Sequence, residues 1–203
     1  MPEITAIFSD VGGVLGTNGW DRETRHKAAE VFSLDAIEFE DRHELVTTAF
    51  ETGRLSLEDY LSRTVFYRPR SFGRKEFTEF MFAASTPFPE SLAVMDRLAR
   101  SRRYFMATLN NESLELNLDR IGRFGLRKYF SVFFSSSFLG MKKPDAAIYR
   151  LALALSQRLP EECLFIDDRA LNLECASACG MRTIQCQDPT RLGEQMRAFG
   201  VDV

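Results

Sequence analysis

The stretch Ile4-Thr5-Ala6-Ile7-Phe8-Ser9-Asp10-Val11-Gly12-Gly13-Val14-Leu15 sets the reading of the whole chain. Ile4 to Ser9 is an apolar run of about the length of a buried strand. It stops on a carboxylate, Asp10, ahead of two glycines whose backbone amides can close on an anion with no side chain in the way. Four later runs have the same character: Tyr104 to Thr108, Ser131 to Phe134, Cys163 to Ile166 and Arg182 to Gln185. Helical apolar spacing marks Pro89 to Arg100, Ser113 to Phe124, Pro144 to Leu159, Ala170 to Cys179 and Pro189 to Phe199, several with Pro or Ser near the start, where helices begin. Strands alternating with helices predict an α/β protein on a doubly wound, Rossmann-like, five-stranded parallel sheet.

The alternation is interrupted once. Between Thr17 and Phe88 there is no strand pattern; Asp21 to Phe32, Ala36 to Glu51, Ser56 to Phe66 and Arg74 to Ala83 are amphipathic instead, with breaks at Glu51-Thr52-Gly53 and Arg68-Pro69-Arg70. The expectation is a four-helix cap inserted at 17–88 in a sheet domain made of 1–16 and 89–203, with hinges at Gly16 to Gly19 and at Pro87 to Pro89. Phe72, Phe77, Phe80 and Phe82 read as cap-helix core and not as a base-stacking platform.

A chain of 203 residues buries roughly 70% of its unfolded surface, so it needs no disulfide or metal to fold. Its 26 basic residues against 29 acidic ones provide no basic field of the kind nonspecific nucleic-acid binding requires. No apolar run approaches the roughly 20 residues that cross a bilayer, and Met1 to Phe8 has neither a basic leader nor a long apolar segment. A cytoplasmic protein without nucleic-acid or membrane partners is expected; the oligomeric state is not legible. Cys163, Cys175, Cys179 and Cys186 form no CxxC pair and read as free thiols. Cys175 and Cys179, one helical turn apart, could be half a metal site, but His26 and His43 lie far away in sequence.

In an open parallel sheet the ligand sits beyond the carboxyl ends of the strands. The residues there are Ser9-Asp10 with Gly12-Gly13, then Thr108-Leu109-Asn110-Asn111-Glu112, then Ser135-Ser136-Ser137 with Lys142-Lys143-Pro144, and finally Asp167-Asp168-Arg169-Ala170-Leu171-Asn172. A carboxylate, a hydroxyl, an ammonium and an acidic pair at one edge are what attack on a phosphoryl group with a divalent ion requires.

These residues, Asp10-Val11-Gly12-Gly13-Val14-Leu15, Thr108, Lys143-Pro144 and Asp167-Asp168 with Asn172, resemble in order the four motifs of the haloacid dehalogenase superfamily, across nearly the whole chain. Gly140 to Tyr149 and Phe165 to Met181 are similar to the branch containing α-D-glucose-1-phosphate phosphatase, whose members carry a small helical cap between the first two motifs. The resemblance implies a Mg²⁺-dependent phosphomonoester phosphatase acting on a small phosphorylated metabolite, a sugar phosphate among the candidates, through an aspartyl-phosphate on Asp10. It gives Thr108 a phosphoryl oxygen, Lys143 the charge on Asp10 and the transferring group, and Asp10, Asp167, Asp168 and the Gly12 carbonyl one Mg²⁺, with Asn172 orienting the acids. Gly12, Gly13, Asn110 and Asn111 are expected against the substrate, and Trp20 either walls it or packs inside the cap. Lys142 is expected to be a solvated surface lysine and Pro144 to open the following helix.

The chain departs from the family pattern twice. Leu109 stands where an Asn is often found, which leaves the register around Thr108 open by one residue. At Gly12 most phosphatases of the superfamily carry a second Asp that protonates the leaving oxygen, a contribution of about 10²- to 10⁴-fold. Glu112, Asp21 and His26 are possible substitutes, although each reads as a surface residue. Two further readings stay open: a 2-haloacid dehalogenase, in which Asp10 attacks carbon without a metal, and a catalytically weakened phosphate-ligand binder.

Overall fold

In a computed structural model, which describes residues 2–203, the strands are β1 (Ala6–Ser9), β2 (Phe105–Asn110), β3 (Val132–Ser135), β4 (Cys163–Asp167) and β5 (Arg182–Gln185). They form one parallel sheet in the order β3-β2-β1-β4-β5. The helices are α1 (Arg22–Val31), α2 (Ala36–Glu51), α3 (Leu57–Thr64), α4 (Arg74–Ala83), α5 (Pro89–Ser101), α6 (Leu114–Arg123), α7 (Ser136–Leu139), α8 (Ala146–Ser156), α9 (Ala170–Ala178) and α10 (Leu192–Arg197). The chain steps outward from β1 to β3, then returns to the far side of β1 for β4 and β5. The crevice that such a reversal opens lies between the carboxyl ends of β1 and β4, and the Asp10 amide extends that ladder by donating to the Ile166 carbonyl at 2.8 Å.

Both faces of the sheet are covered, which is why its strands read as unbroken apolar runs. Ala6 and Phe8 face one layer with Leu109, Phe134 and Phe165, closed by Ile148 and Tyr149 of α8 and Leu173 of α9. Ile7 faces the other with Met106, Leu164 and Ile184, closed by Met95 of α5, Ile121 of α6 and Met196 of α10.

Helices α1 to α4 gather a separate apolar centre from Trp20, Phe32, Phe39, Phe50, Tyr60 and Phe77, joined by Leu116 of α6. A buried polar chain runs through it: the Trp20 indole N–H donates to the Tyr60 hydroxyl at 2.9 Å, which shares a hydrogen bond of 2.8 Å with His43 Nδ1. The connections into and out of this helical segment run side by side, with Thr17 N–H donating to Thr86 O and Phe88 N–H to Leu15 O, both at 2.9 Å.

The helix expected from Pro144 starts at Ala146 instead, because Asp145 caps it by accepting the Ala147 N–H at 2.8 Å; Pro144 stays outside, after a cis peptide bond. It ends at Ser156, where Gln157 turns to φ 54°. Pro189 to Phe199 divides into a 3-10 turn, Pro189–Arg191, and α10. The four cysteines are free thiols. Among the described residues no helix is long and apolar enough to cross a membrane.

Burial pulls the His43 pKa down from 6.5 to about 4, with Arg25 adding to the effect. The unfolded chain therefore takes up a proton between pH 6.5 and pH 4 that the folded chain refuses, so stability falls as pH falls through that window, by on the order of 1–3 kcal/mol. Thermal unfolding of His43→Gln should show a smaller loss than wild type between pH 7 and 4.5. Equal losses would show that His43 is not the group responsible.

Candidate functional site

Asp10 stands one residue past β1, with Oδ1 accepting its neighbour's Val11 N–H at 2.7 Å and Oδ2 at 2.9 Å from Lys143 Nζ. The same ammonium reaches Asp167 Oδ2 at 2.6 Å. Lys143 is 2% exposed, so the three groups form a buried charge cluster at the β1–β4 crevice. Each member is held from outside. Asn172, in the first turn of α9, donates Nδ2 to both Asp167 oxygens at 3.0 Å, and the Arg169 N–H adds a bond of 2.8 Å to Oδ1. Asn111, just past β2, accepts the Lys143 N–H and donates to the Lys143 carbonyl, both at 2.8 Å, and so ties two loops together.

The electrostatics follow from the count of charges. Burial, opposed by Lys143 and reinforced by Asp167, pushes the Asp10 carboxyl up from 3.8 to about 7. Burial works against the Lys143 ammonium as well, but Asp10 and Asp167 together outweigh it and hold its pKa above the usual lysine value. Asp168 adds a third carboxylate: Oδ2 accepts from Asn18 Nδ2 at 3.1 Å, while Oδ1 is buried without a hydrogen-bond partner. One carboxylate oxygen from each of Asp10, Asp167 and Asp168 lies within 4.8 Å of the others. Three hard oxygen donors, one of them orphaned, with a single ammonium against three acids, fit a divalent cation of the Mg²⁺ type. Gly13 makes the arrangement possible: its φ is +71°, and a Cβ there would come within 2.4 Å of the Asp168 carboxyl.

A cleft of about 300 Å³ opens in front of Asp10, lined by Gly12, Asn111 and Lys143 from the sheet side and by Asn18, Trp20, Asp21 and Glu51 from the helical segment. Several expected residues stand elsewhere. Thr108 pairs with Ser9, one rung short of Asp10, and its fully buried Oγ1 has no partner. Because β2 runs on to Asn110, Thr108 lies inside the sheet. Asn110 is turned inward too, donating to Asn117 Oδ1 at 3.0 Å and accepting from Ser135 Oγ at 2.8 Å, so Asn111 and Glu112 are the residues of this run that line the cleft. Trp20 lines the cleft while 8% exposed, packed in T-shaped contacts with Phe39 and Phe77. Lys142 is only partly solvated: it lines the cleft, and its Nζ meets Glu51 Oε2 of α2 at 2.5 Å.

Of the three candidate acids, His26 is exposed and Asp21 caps α1 by accepting the Thr24 N–H at 2.8 Å. Glu112 is buried against the expectation, its carboxyl pushed up by burial and opposed by Arg120, whose Nη2 lies 3.1 Å away. Sequence reasoning missed Asn18 and Arg120. For Arg120 a signal existed: it lies three residues after Asn117 and four after Leu116 on the buried stripe of α6, while Leu118 is left 45% exposed.

A family model described as haloacid dehalogenase-like hydrolase matches residues 4–180. The chain is 26% identical over 164 residues to the chloroplast flavin mononucleotide hydrolase 1 of Arabidopsis thaliana, which covers 81% of this chain and 66% of that protein. It spans less than two thirds of the length of the curated relatives it matches. Among solved structures, a predicted HAD-like family hydrolase from Porphyromonas gingivalis matches with a TM-score of 0.78 at 23% identity, over 99% of this chain and 100% of that one. A HAD family enzyme from Bacteroides thetaiotaomicron, in complex with magnesium and inorganic phosphate, matches with a TM-score of 0.73 at 19% identity, over 90% and 93%. Likeness at these identities speaks for the fold.

Gly13→Ala tests the acidic cluster. The added methyl must displace Asp168 and adopt a left-handed backbone, so a stability loss of roughly 1–3 kcal/mol is expected together with weakened Mn²⁺ binding by electron paramagnetic resonance. Unchanged Mn²⁺ affinity would separate Asp168 from any metal site.

Proposed function

The chain belongs to the haloacid dehalogenase-like hydrolases, and from that premise we propose that it is a Mg²⁺-dependent phosphomonoester phosphatase. Its substrate is a small phosphorylated metabolite and its intermediate an aspartyl-phosphate on Asp10. The observation that carries this reading is the buried Asp10–Lys143–Asp167 cluster with the orphaned Asp168 oxygen beside it. The names of two similar proteins support it: one is a hydrolase of flavin mononucleotide, a small phosphate monoester, and the other holds magnesium with phosphate. A 2-haloacid dehalogenase would leave Asp167 and Asp168 without a task.

Asp10, Asp167, Asp168 and the Gly12 carbonyl are the residues to hold Mg²⁺. When bound, the ion supplies Lewis-acid neutralisation of the phosphoryl oxygens. Asp10 is the nucleophile, and a free Oδ lone pair must face phosphorus in line with the leaving oxygen. Lys143 favours the ionised form of Asp10 and offsets the repulsion between its carboxylate and the incoming phosphate dianion. Asn111 fixes Lys143 through its backbone, and Asn172 fixes Asp167, so neither charged group has to reorganise as the bond forms. Residues 17–88 act as the cap over a core of 1–16 and 89–203, and exclude bulk water from the phospho-aspartate until the alcohol has left.

A panel of metabolite monoesters, assayed with Mg²⁺ and with EDTA, should show phosphate release that chelation abolishes. Asp10→Asn should lower that release by several orders of magnitude while its circular dichroism spectrum stays that of wild type. Full metal-dependent activity in Asp10→Asn, or wild-type turnover that survives EDTA, would refute the proposal.

A further inference from the structure

Arg120 is a charged side chain buried at a helix face, 2% exposed, and its guanidinium is held from several directions. Nε donates to Ser85 Oγ at 2.9 Å, Nη2 donates to the Asn18 carbonyl at 2.8 Å, and Nη2 also pairs with Glu112 Oε2 at 3.1 Å. Among the described residues Nη1 has no hydrogen-bond partner. It lies 3.4 Å from the point that a Cβ on Gly12 would occupy, and Arg120 lines the cleft that contains Asp10. Position 12 has no side chain of its own to act on a leaving group. Glu112 lines the same cleft, but both its oxygens are already engaged: Oε1 accepts the Ser113 N–H at 3.0 Å and Oε2 lies 3.1 Å from Arg120 Nη2.

Resting on the phosphatase reading, we infer that Arg120 is a catalytic residue whose Nη1 donates a hydrogen bond to the ester oxygen as it leaves phosphorus. Asp10 forms its bond to phosphorus while the P–O ester bond breaks, and the electron pair stays on the leaving oxygen. The guanidinium donates a hydrogen bond and transfers no proton. The oxygen takes a proton from water, and the hydroxide so formed is consumed in hydrolysing the phospho-aspartate, so ester and water become alcohol and phosphate. A fixed cationic donor in a buried wall is effective for such developing charge because it is already oriented when the charge appears. Ser85 and Asn18, which orient it, sit on the two connections between sheet and helical segment, so the donor is built where those two parts meet.

The test is a leaving-group series, from 4-nitrophenyl phosphate to simple alkyl phosphates, measured as kcat/KM with saturating Mg²⁺. Wild type should depend only shallowly on leaving-group basicity. Arg120→Met should lose roughly 10²-fold on alkyl phosphates and far less on 4-nitrophenyl phosphate, whose oxygen needs little help, while Arg120→Lys should fall between. The alkyl-to-aryl ratio within one preparation is insensitive to any unfolded fraction, and if Arg120→Met does not fold, Arg120→Lys and the wild-type slope decide. An equal loss on both ester types, or a steep wild-type slope, would overturn the inference while leaving the phosphatase reading intact. Wild type inactive on every ester would refute both.

Discussion

Lys143 Nζ, shared at 2.9 Å with Asp10 and at 2.6 Å with Asp167, is the contact around which the rest is arranged. Three charges removed from water are costly unless every one is paired and hydrogen-bonded. The molecule meets that demand by bringing four loops to one place: Asp10 leaves β1, Asp167 ends β4, Lys143 comes from the loop before α8, and Asn111 from the loop after β2. The parallel sheet brings their ends together, and its order, with β4 beside β1, sets the two carboxylates within reach of one ammonium. Asn172 and Asn111 complete the arrangement without adding charge.

The balance is still acidic once Asp168 is counted, and that surplus makes the cluster suited to a cation. The pressure on Asp10, pushed up to about 7, expresses the same imbalance in another form. A divalent ion among the three carboxylates would relieve it.

A second network joins the sheet to the helices that wall the cleft. Arg120 and Arg123 of α6 bind the returning connection at Ser85, Arg123 also donates to the Phe82 carbonyl of α4, and Lys142 reaches across to Glu51. Leu116 places the same α6 in the aromatic centre of α1 to α4. The helix after β2 therefore touches both these helices and the cleft.

The strands were legible because each is buried on both sides, so Ala6 to Ser9 or Cys163 to Asp167 announces itself as an apolar run, and the helices because their stripes repeat locally. Asp10, Asp167 and Asp168 were legible because a carboxylate at the end of such a run has one sheet edge to occupy, and Lys143 because Lys143-Pro144 resembles a motif of the family. Thr108 and Asn110 were misplaced by the same reading, since β2 continues two residues past Thr108 and its register against β1 is a property of the pair of strands. Lys142, read as solvated, meets Glu51, a partner 91 residues away, and Glu112, read as exposed, is closed off by Arg120. The sequence by itself determined which residues form strands, which carry charge to the edge, and what chemistry that charge invites, because periodicity and residue type are local. Only the tertiary structure decided which side chains face the cleft and that a buried guanidinium stands beside Gly12, because those facts depend on register and on contacts between segments far apart in the chain.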